Sequence, residues 1–553
     1  MKRKAGLFLY LLGAIFLINL IQAHFTELIF DEAYYWYYAQ NMAWGYFDHP
    51  PMVALLVKIS SLFFGGELGV RFMSSVLMAG TVFTLWHLVY PPKKEDYIPH
   101  FFVLVFSMTL LNAYGFLTLP DTPLLFFTAL FLWVYKKFLT APTAILSIGL
   151  GMVMAALMYS KYHAVLVIVF VLISNSKLVF NKYAWLAVIV SLLCYSPHIL
   201  WLFENDFISI KYHLFERPNR AYHFEDYTLG YLINLVALFG LTFPWIYLSV
   251  FRTKASDMFT RGLLYLTYGV LLFFFISSFN RRIQTQWLIV ICIPVVVLVF
   301  NYMLDHSNTR KWIWRCGIAN IVLFCFLRIG LVYEPFFPIV YETHGNKKWV
   351  NEIASQVGST PVVFENSYRN APMYSFYSGF TSFSLNNIRY RQNQYSIDSS
   401  EFRVQHKRVL YTSKYIKEGD VSFTTAKGDT YYGTYIDSFE SFRKLRCYVA
   451  DKKNSSMEGT HRLNVYNPYK VDIDLAKIKF SVAYLNAHKQ VKELVPVTVE
   501  ALQPNTTVLT SRDSTGFTFK LPVHGTERPA YFKICISENN LYWGLNGENV
   551  KLQ

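Results

Sequence analysis

The sequence predicts a polytopic α-helical membrane protein that ends in a water-soluble C-terminal domain. Of its 553 residues, 54% are hydrophobic and only 16% are charged, whereas about 25% of the residues in a soluble domain are charged. Apolar stretches of roughly 17 to 23 residues recur up to about residue 333, and each is long enough to cross a bilayer as a helix. Beyond that point the sequence is polar with short β-type runs. We therefore expect a membrane domain over 1–337 and a soluble domain over 338–553.

The apolar stretches predict about eleven membrane helices. The first follows Lys2-Arg3-Lys4, like a signal peptide, but it is long and no small-residue cleavage site follows it, so we interpret it as an uncleaved helix. The expected spans are residues 6–22, 68–90, 100–117, 122–138, 143–159, 162–176, 184–202, 228–250, 262–279, 287–304 and 313–333.

Basic residues alternate between the loops in a way that predicts the orientation of the chain. Cytoplasmic loops carry an excess of lysine and arginine, and with the N-terminus inside the basic loops contain Lys93, Lys94, Lys136, Lys137, Lys177, Lys182, Arg252, Lys254, Arg261, Arg310 and Lys311. An odd number of crossings then places the C-terminal domain outside, in the periplasm if the source is a Gram-negative bacterium. These loops also explain the net charge of +15, so we predict contact with membrane lipids and no binding of nucleic acid.

The other ionisable residues gather at the outer ends of the predicted helices. A charge at the bilayer centre costs about 2.5–3.5 kcal/mol, and a charge at a helix end costs less. A single charge at a helix end is therefore weak evidence of function. The collection of many such charges on one face is stronger evidence. The outer positions are Asp31, Glu32, Asp48, His49, Asp121, Lys161, His213, Arg217, Arg281 and Arg282.

Two of these groups lie in the first outer loop. Asp31 and Glu32 open the aromatic segment 30–40, which suits a helix lying in the membrane interface. The pair suits catalysis, and it also suits a helix start, where carboxylates are stabilising. Further along, Asp48 and His49 precede Pro50-Pro51, where they form either a simple turn or part of a site.

Four later segments carry the remaining candidates. Asp121 follows Leu119-Pro120 and is positioned to cap a helix that starts at Thr122. Lys161 at a helix mouth either snorkels toward the headgroups or binds an anion. Adjacent Arg281 and Arg282 at the outer end of a helix pair oppose the usual charge bias, which favours a role such as phosphate binding. The basic loop 211–220 contains His213 and Arg217 and is either an ordinary basic loop near lipid headgroups or part of a site.

Taken together, these motifs resemble a family of bacterial lipid-linked sugar transferases with the GT-C fold. The matching motifs are Asp31-Glu32, the aromatic helix, Tyr46-Phe47-Asp48-His49-Pro50-Pro51, Leu119-Pro120-Asp121-Thr122-Pro123-Leu124 and Ser160-Lys161-Tyr162. The family includes aminoarabinose transferases that act on lipid A, galacturonosyl transferases of the RgtA/B/C/D type and protein mannosyltransferases. The resemblance covers the helical region to about residue 330. It implies an inner-membrane enzyme that transfers a sugar, with inversion, from a polyprenyl-phosphate donor to a lipid or protein acceptor.

The resemblance also implies roles for individual residues. Asp31 is the expected base, with Glu32 as the less favoured alternative and Asp121 as a second acidic position. The donor phosphate would be bound by Lys161, Tyr162, Arg217, Arg281 and Arg282. Asp48 occupies the place of an acid that helps to hold a metal ion in the aminoarabinose transferases, where Glu-Lys precedes Pro-Pro. His49 departs from that pattern, and a divalent metal held by Asp48, His49 and His213 stays open.

The sequence predicts that the C-terminal domain has α/β structure followed by mostly β structure. We expect a helix over 346–357 and another over 368–378, with strands at 361–364, 409–412, 463–466, 480–484 and 531–536. Cys447 and Cys535 are the cysteines of this domain and can pair in an oxidising compartment.

Two other functions fit a polytopic chain, a transporter and a membrane-anchored sensor or scaffold. The sequence has no internal repeat of the kind that transporters show.

Overall fold

The computed structural model describes residues 2–89, 91–336, 339–425, 427–450, 457–525 and 529–552. The chain divides into two compact units. The helical unit comprises Met1–Asp206 and Tyr222–His344, and the C-terminal unit comprises Gly345–Gln553 together with Phe207–Ala221. The short segment between two membrane helices thus belongs to the C-terminal unit, a feature that the sequence pattern did not predict.

The first part of the chain is almost entirely helical. Its α-helices are α1 (Lys2–Phe25), α2 (Phe30–Gln40), α3 (Met52–Ser60), α4 (Gly66–Leu88), α5 (Pro91–Lys94), α6 (Ile98–Phe106), α7 (Thr109–Ala113), α8 (Asp121–Thr140), α9 (Ala144–Ser160), α10 (Val165–Ser174), α11 (Lys182–Glu204), α12 (Ile208–Lys211), α13 (Gly230–Phe239), α14 (Phe243–Arg252), α15 (Met258–Ser277), α16 (Cys292–Asp305) and α17 (Ser307–Val332). Helix α12 lies in the segment that belongs to the C-terminal unit.

Eight helical segments in the described part of the chain are long and apolar enough to cross a membrane. They are Gly6–Phe25, Gly66–Leu88, Asp121–Thr140, Lys182–Glu204, Glu225–Arg252, Met258–Ser277, Thr285–Asp305 and Ser307–Val332, and two shorter apolar helices are Ala144–Ser160 and Tyr162–Ser174. The chain is therefore a multi-pass membrane protein, as predicted. The number eleven stays a prediction.

Asn320 explains how breaks in two of the apolar segments are tolerated. The predicted span 100–117 is interrupted between α6 and α7, and the chain turns at Gly240 between α13 and α14. The buried Asn320 amide donates to the carbonyls of Ser107 and Phe239, both at 3.0 Å, and its oxygen accepts from the Leu241 amide at 3.0 Å. Backbone groups freed inside a membrane must find such partners.

Gly240 is required at the second of these turns for two reasons. Its φ of +53° lies in the left-handed region that L side chains rarely adopt. A Cβ atom at this position would also lie 2.8 Å from the amide of Asn320. The turn and the asparagine therefore depend on each other.

The basic loops gather at one end of the helical unit. Lys136, near the end of α8, donates to the carbonyl of Leu88, the last residue of α4, at 3.0 Å. Lys93 and Asp305 pair at the same end at 2.7 Å. Asp121 starts α8 fifteen residues before Lys136, so the two lie about 22 Å apart along the helix at 1.5 Å per residue. Asp121 and the basic loops are thus at opposite ends of the unit.

The C-terminal unit begins with an α/β layer. Helices α18 (Asn346–Val357), α19 (Asn370–Ser378) and α20 (Gln394–Ile397) accompany a five-stranded sheet in the order β2-β1-β3-β5-β4. Its strands are β1 (Val362–Glu365), β2 (Ser382–Leu385), β3 (Val409–Ser413), β4 (Val421–Thr424) and β5 (Thr430–Ile436). Strands β1, β2 and β3 are parallel, which the crossover helices make possible. Trp349 of α18 is buried against Phe364 and Phe423.

Two antiparallel four-stranded sheets follow, in the orders β10-β9-β14-β15 and β11-β13-β7-β6, with a two-stranded β12-β8 pair. Phe480 contacts Phe517 and Phe519 contacts Phe532, which joins the two sheets through a common apolar core. The strands are β6 (Arg446–Val449), β7 (Thr460–Tyr466), β8 (Ile473–Asp474), β9 (Ile478–Leu485), β10 (Val491–Val497), β11 (Val499–Ala501), β12 (Val508–Leu509), β13 (Ser514–Lys520), β14 (Tyr531–Glu538) and β15 (Val550–Lys551).

The predicted α/β-then-β order is confirmed, and the five strands expected from the sequence are β1, β3, β7, β9 and β14. Helix α18 has the predicted bounds, and α19 begins two residues later than expected. Cys447 and Cys535 are both buried free thiols.

Candidate functional site

The first outer carboxylate of the sequence motif, Asp31, lies in the first turn of α2 and is half-buried. Seven residues of this helix are buried, because its aromatic side chains pack inward. Tyr38 stacks on Tyr46 with ring centroids 4.2 Å apart, and the Tyr46 hydroxyl donates to the Tyr38 carbonyl at 3.1 Å. The helix that carries Asp31 is therefore fixed by packing along its length.

Glu32, the neighbour of Asp31, has a structural position. Its side chain is fully buried and forms a two-pronged ion pair with Arg71 of α4, with Nε–Oε1 at 2.8 Å and Nη2–Oε2 at 2.5 Å. The amides of Thr118 and Ile29 donate to the same carboxylate at 2.8 and 3.2 Å. Both oxygens are thus occupied, and the contact with Ile29 supplies the helix-start function that the sequence left open for the pair.

Asp121 and Lys161 form a second buried ion pair. Lys161 Nζ lies 2.7 Å from Asp121 Oδ1, and the two side chains are only 8% and 5% exposed. Asp121 is the first residue of α8 and Lys161 directly follows the last residue of α9. The residue before α8 is Pro120, and no side-chain cap is formed there. The expected cap by Asp121 on a helix starting at Thr122 is therefore wrong, and Lys161 is buried instead of snorkelling.

Asp48 is joined to α2 through Tyr34. The Tyr34 hydroxyl donates to Asp48 Oδ2 at 3.2 Å, and Asp48 is buried. Burial, with neighbouring Tyr34 and the Asp48 carboxylate as further causes, raises the pKa of Tyr38 well above its ordinary value. The Tyr38 phenol therefore stays protonated. His49 packs edge-on against Tyr35 with ring centroids 5.7 Å apart.

A buried histidine links Tyr162 to the loop after α2. His198 of α11 lies 2.7 Å from the Trp44 carbonyl through Nδ1 and 3.2 Å from the Tyr162 hydroxyl through Nε2. Because a carbonyl only accepts, Nδ1 carries the proton and Nε2 accepts from Tyr162. Gly45 permits this close approach, since a Cβ atom there would lie 2.3 Å from the ring of Trp201.

These contacts form one closed network in the helical unit. It runs from Asp48 through Tyr34 to α2, from Glu32 to the Thr118 amide, along the chain to Asp121, and then to Lys161 and Tyr162. His198 closes it at Trp44, four residues before Asp48. We call this set the carboxylate network.

The predicted phosphate-binding arginines lie in two other segments of the chain. Arg281 is half-buried and Arg282 exposed in the segment between α15 and the helical turn at Thr285–Ile291. This segment is held by Asn234, which donates to the Ile283 carbonyl at 2.8 Å. Arg217 is exposed and His213 half-buried in the segment that belongs to the C-terminal unit, so their meeting with the carboxylate network stays a prediction.

A metal site is not supported by the side chains that the structure describes. Among them, no group of three or more His, Cys, Asp or Glu residues is arranged to hold a metal ion. Asp48 accepts a hydrogen bond from Tyr34, and His49 packs against an aromatic ring. Asp48 and His49 lie in the helical unit and His213 in the C-terminal unit, so the ligand set of Asp48, His49 and His213 stays a prediction.

The sequence analysis missed two residues that organise the site, Arg71 and His198. An arginine inside the apolar span 68–90 is costly unless it is paired, so its presence was a signal that a buried carboxylate lay nearby. His198 sits beside Pro197 within an apolar helix. The polar side chain in that setting was a similar signal, but the sequence does not reveal its partner.

Parts of this chain are similar in sequence to known proteins. The family model described as dolichyl-phosphate-mannose-protein mannosyltransferase matches residues 48–201, which include all the network residues named here from Asp48 to His198. The lipid A galacturonosyltransferase RgtD of Rhizobium johnstonii is 19% identical, over 58% of this chain and 71% of that protein.

Two crystal structures of ArnT from Cupriavidus metallidurans have a similar fold. The apo structure matches with a TM-score of 0.55 at 9% identity, covering 74% of this chain and 92% of that one. The structure bound to undecaprenyl phosphate matches with a TM-score of 0.54 at 11% identity, covering 78% of this chain and 97% of that one. The chain has a GT-C-type fold. The predicted fold class is confirmed, and the likenesses agree with a membrane glycosyltransferase.

Proposed function

We propose that this protein is an inverting glycosyltransferase that takes a sugar from a polyprenyl phosphate and transfers it to an envelope acceptor on the outer face of the inner membrane. The observation that carries the proposal is the carboxylate network, in which the buried pair of Asp121 and Lys161 lies at the end of α8 opposite Lys136. Glu32, the neighbour of Asp31, belongs to the same network through the Thr118 amide. The family match over residues 48–201 covers this network apart from α2 and Trp44.

The chemistry of the transfer fits these residue types. In an inverting transfer, the acceptor oxygen bonds to C1 of the sugar from the face opposite the phosphate, and the bond from C1 to the phosphate oxygen breaks. The acceptor proton passes to a carboxylate base, and the departing phosphate gains negative charge. We assign the base to Asp31, because both oxygens of Glu32 are already occupied by Arg71 and backbone amides. If the acceptor is an anionic phosphate, Asp31 orients it instead.

Lys161 is the cation that we propose to bind the leaving phosphate. Its pairing with Asp121 holds the ammonium group in one place, in a buried setting where its charge acts strongly. Tyr162 follows it, and its hydroxyl is oriented by His198. Arg217, Arg281 and Arg282 are proposed to add phosphate contacts, since the guanidinium fork suits phosphate oxygens.

The proposal also names the donor carrier and the class of acceptor. RgtD is named for an acceptor, lipid A, and ArnT has been crystallised with undecaprenyl phosphate. We therefore propose undecaprenyl phosphate as the donor carrier, with lipid A, lipopolysaccharide or a protein hydroxyl as the acceptor. Mass spectrometry of lipid A, lipopolysaccharide and envelope proteins should find one added sugar that is lost when the gene is deleted. It should return with the wild-type gene but not with Asp31→Asn. An unchanged envelope in the deletion strain would contradict the proposal.

The proposed orientation places the C-terminal unit in the periplasm. The basic ends of α4 and α8 and the opposite position of Asp121 support it. A reporter enzyme that works only in the periplasm, fused after residue 345, should be active. An active cytoplasmic reporter at the same position would overturn both the orientation and the outer location of the site.

A further inference from the structure

The C-terminal unit contains a cavity that the proposed transfer reaction does not use. Its volume is about 400 Å³, within the ~300–1,000 Å³ range of small-molecule sites. Most of its lining comes from part of the Phe207–Ala221 segment, the loop after β2 at 388–392, and the β9–β10 turn with its flanking strand ends. Lys533 of β14, Leu545 and Asn549 complete it. All of these residues belong to one compact unit. We call this cavity the basic pocket.

The basic pocket has a strongly positive lining. Its only acidic side chain among the described residues is Glu216, while five cations face it: Arg389, Arg391, Lys489, Lys492 and Lys533. In the part of the chain that the structure describes, Lys492 and Lys533 form no ion pair with a carboxylate. Lys533 is half-buried on β14, so its ammonium group is held close to the cavity without a countercharge from the protein.

Two further cations, Arg389 and Lys489, have neutral partners. Nε of Arg389 donates to the Tyr542 hydroxyl at 2.7 Å, and Lys489 donates to the carbonyl of Phe215. These two partners orient the cations without neutralising them. Arg391 lies over the ring of Tyr368 at 4.5 Å. A positive cavity of this kind attracts an anion by its summed field.

The wall made by the Phe207–Ala221 segment is fixed to the β9–β10 turn. The Asn219 amide donates to the His488 carbonyl at 3.0 Å. Lys489, the residue after His488, donates to the carbonyl of Phe215 in the same segment. Tyr212 on this wall is buried, and Tyr390 on the facing wall is half-buried. The cavity therefore offers aromatic surface as well as charge, and aromatic faces pack well against the C–H faces of sugar rings.

We propose that the basic pocket binds an anionic saccharide, a sugar that carries a phosphate or carboxylate group. The cations would bind the anionic group, and Tyr212 and Tyr390 would contact the ring. Inorganic phosphate alone would satisfy only the charge. Binding of the saccharide does not depend on the transfer reaction. That the saccharide is the acceptor of the transfer rests on the proposed function.

Binding is measured on the full-length protein in detergent without any sugar donor. Calorimetric titrations use glucose 1-phosphate, glucose and inorganic phosphate, and a parallel set uses bisphosphorylated lipid A and its dephosphorylated form in mixed micelles. At least one phosphorylated saccharide should bind at least about tenfold more tightly than its neutral form and than inorganic phosphate, since charge-assisted hydrogen bonds are strong. Binding of glucose 1-phosphate would identify a free saccharide as the ligand, and binding of lipid A would identify a lipid-linked one.

Variants locate the binding. Lys533→Gln with Arg391→Gln should weaken it at least about tenfold, whereas Lys520→Gln on β13, outside the pocket, should not. Asp31→Asn should bind like the wild type, so a failed transfer reaction and a failed pocket are distinguishable. Equal binding of neutral and phosphorylated saccharides, binding matched by inorganic phosphate, no binding in either arm, or no effect of the pocket variants would overturn the proposal.

Discussion

Arg71 donates five hydrogen bonds, and two of them go to the carboxylate of Glu32 at 2.8 and 2.5 Å. The other three reach the carbonyls of Ala23, Thr26 and Glu27. This one side chain therefore joins the end of α1, the turn before α2 and helix α4. Because Asp31 precedes Glu32, the ion pair also sets the position of the proposed base.

Removing one partner of this pair should destabilise the protein strongly. Arg71→Met leaves Glu32 buried without its countercharge, and breaking a buried pair costs about 3–5 kcal/mol. We expect a clearly lower midpoint of thermal unfolding in detergent. The matched control is Lys93→Met, which breaks an exposed pair with Asp305 whose side chains are 62% and 65% exposed, and it should leave the midpoint unchanged. Equal midpoints for the two variants would contradict the structural role of Arg71.

Asp121 and Lys161 should show strong coupling in a double-mutant cycle. Each single variant, Asp121→Asn and Lys161→Met, leaves one buried group without its partner at 2.7 Å. The double variant leaves neither, so its loss of unfolding free energy should be smaller than the sum of the two single losses, by about 1–3 kcal/mol. Additive losses would mean that the pair is not formed in the native protein.

Asn320 should be necessary for the two breaks in the apolar helices. Asn320→Leu removes three hydrogen bonds to backbone groups that have no water to replace them. We expect the free energy of unfolding to fall by at least about 2 kcal/mol. Val322→Leu on the same helix changes an exposed side chain and should have little effect. A stable Asn320→Leu variant would show that these carbonyls find other partners.

The C-terminal unit should become less stable as the pH rises from about 4.5 to about 7. Burial raises the pKa of Glu538 to about 7, against the opposing charge of Arg443 at 3.1 Å. The folded state then binds this proton more tightly than the unfolded state, so its stabilising effect is full below about pH 4.5 and lost above about pH 7. Burial also raises the pKa of Glu401, with the same sign.

Thermal unfolding of the full-length protein at a series of pH values tests this prediction. Glu538→Gln should flatten the decline in the midpoint between pH 4.5 and 7, and Glu500→Gln, an exposed change on β11, should leave the decline unchanged. A midpoint that rises over this range in the wild type would show that Glu538 is ionised when folded.

The sequence predicted the composition of the carboxylate network better than its internal contacts. Charge at the outer helix ends and a few motifs identified Glu32, Asp48, Asp121 and Lys161, whereas the role of Asp31 stays a prediction. Hydropathy alone did not distinguish the roles of Asp31 and Glu32, because the two are adjacent carboxylates. Their roles differ because Arg71, 39 residues after Glu32, pairs with Glu32. The break between α6 and α7 was likewise invisible, since it depends on Asn320 from a distant helix.

The C-terminal strands were easier to predict. Each expected strand alternates or runs apolar over four or more residues, and β9 and β14 are buried at most positions. The Phe207–Ala221 segment was not predicted to join that unit. It does so through contacts such as Asn219 with His488, between residues far apart in sequence.

The proposed role of Asp31 in the transfer step is tested most directly by the sugar-transfer rate of Asp31→Asn. Asparagine keeps the size of the side chain but does not accept a proton, and a general base contributes about 10²–10⁴-fold in rate. The variant should keep the wild-type unfolding midpoint and transfer sugar at least about a hundredfold more slowly, while Asp305→Asn at the opposite end transfers normally. A transfer rate for Asp31→Asn within a few fold of the wild type would contradict the claim.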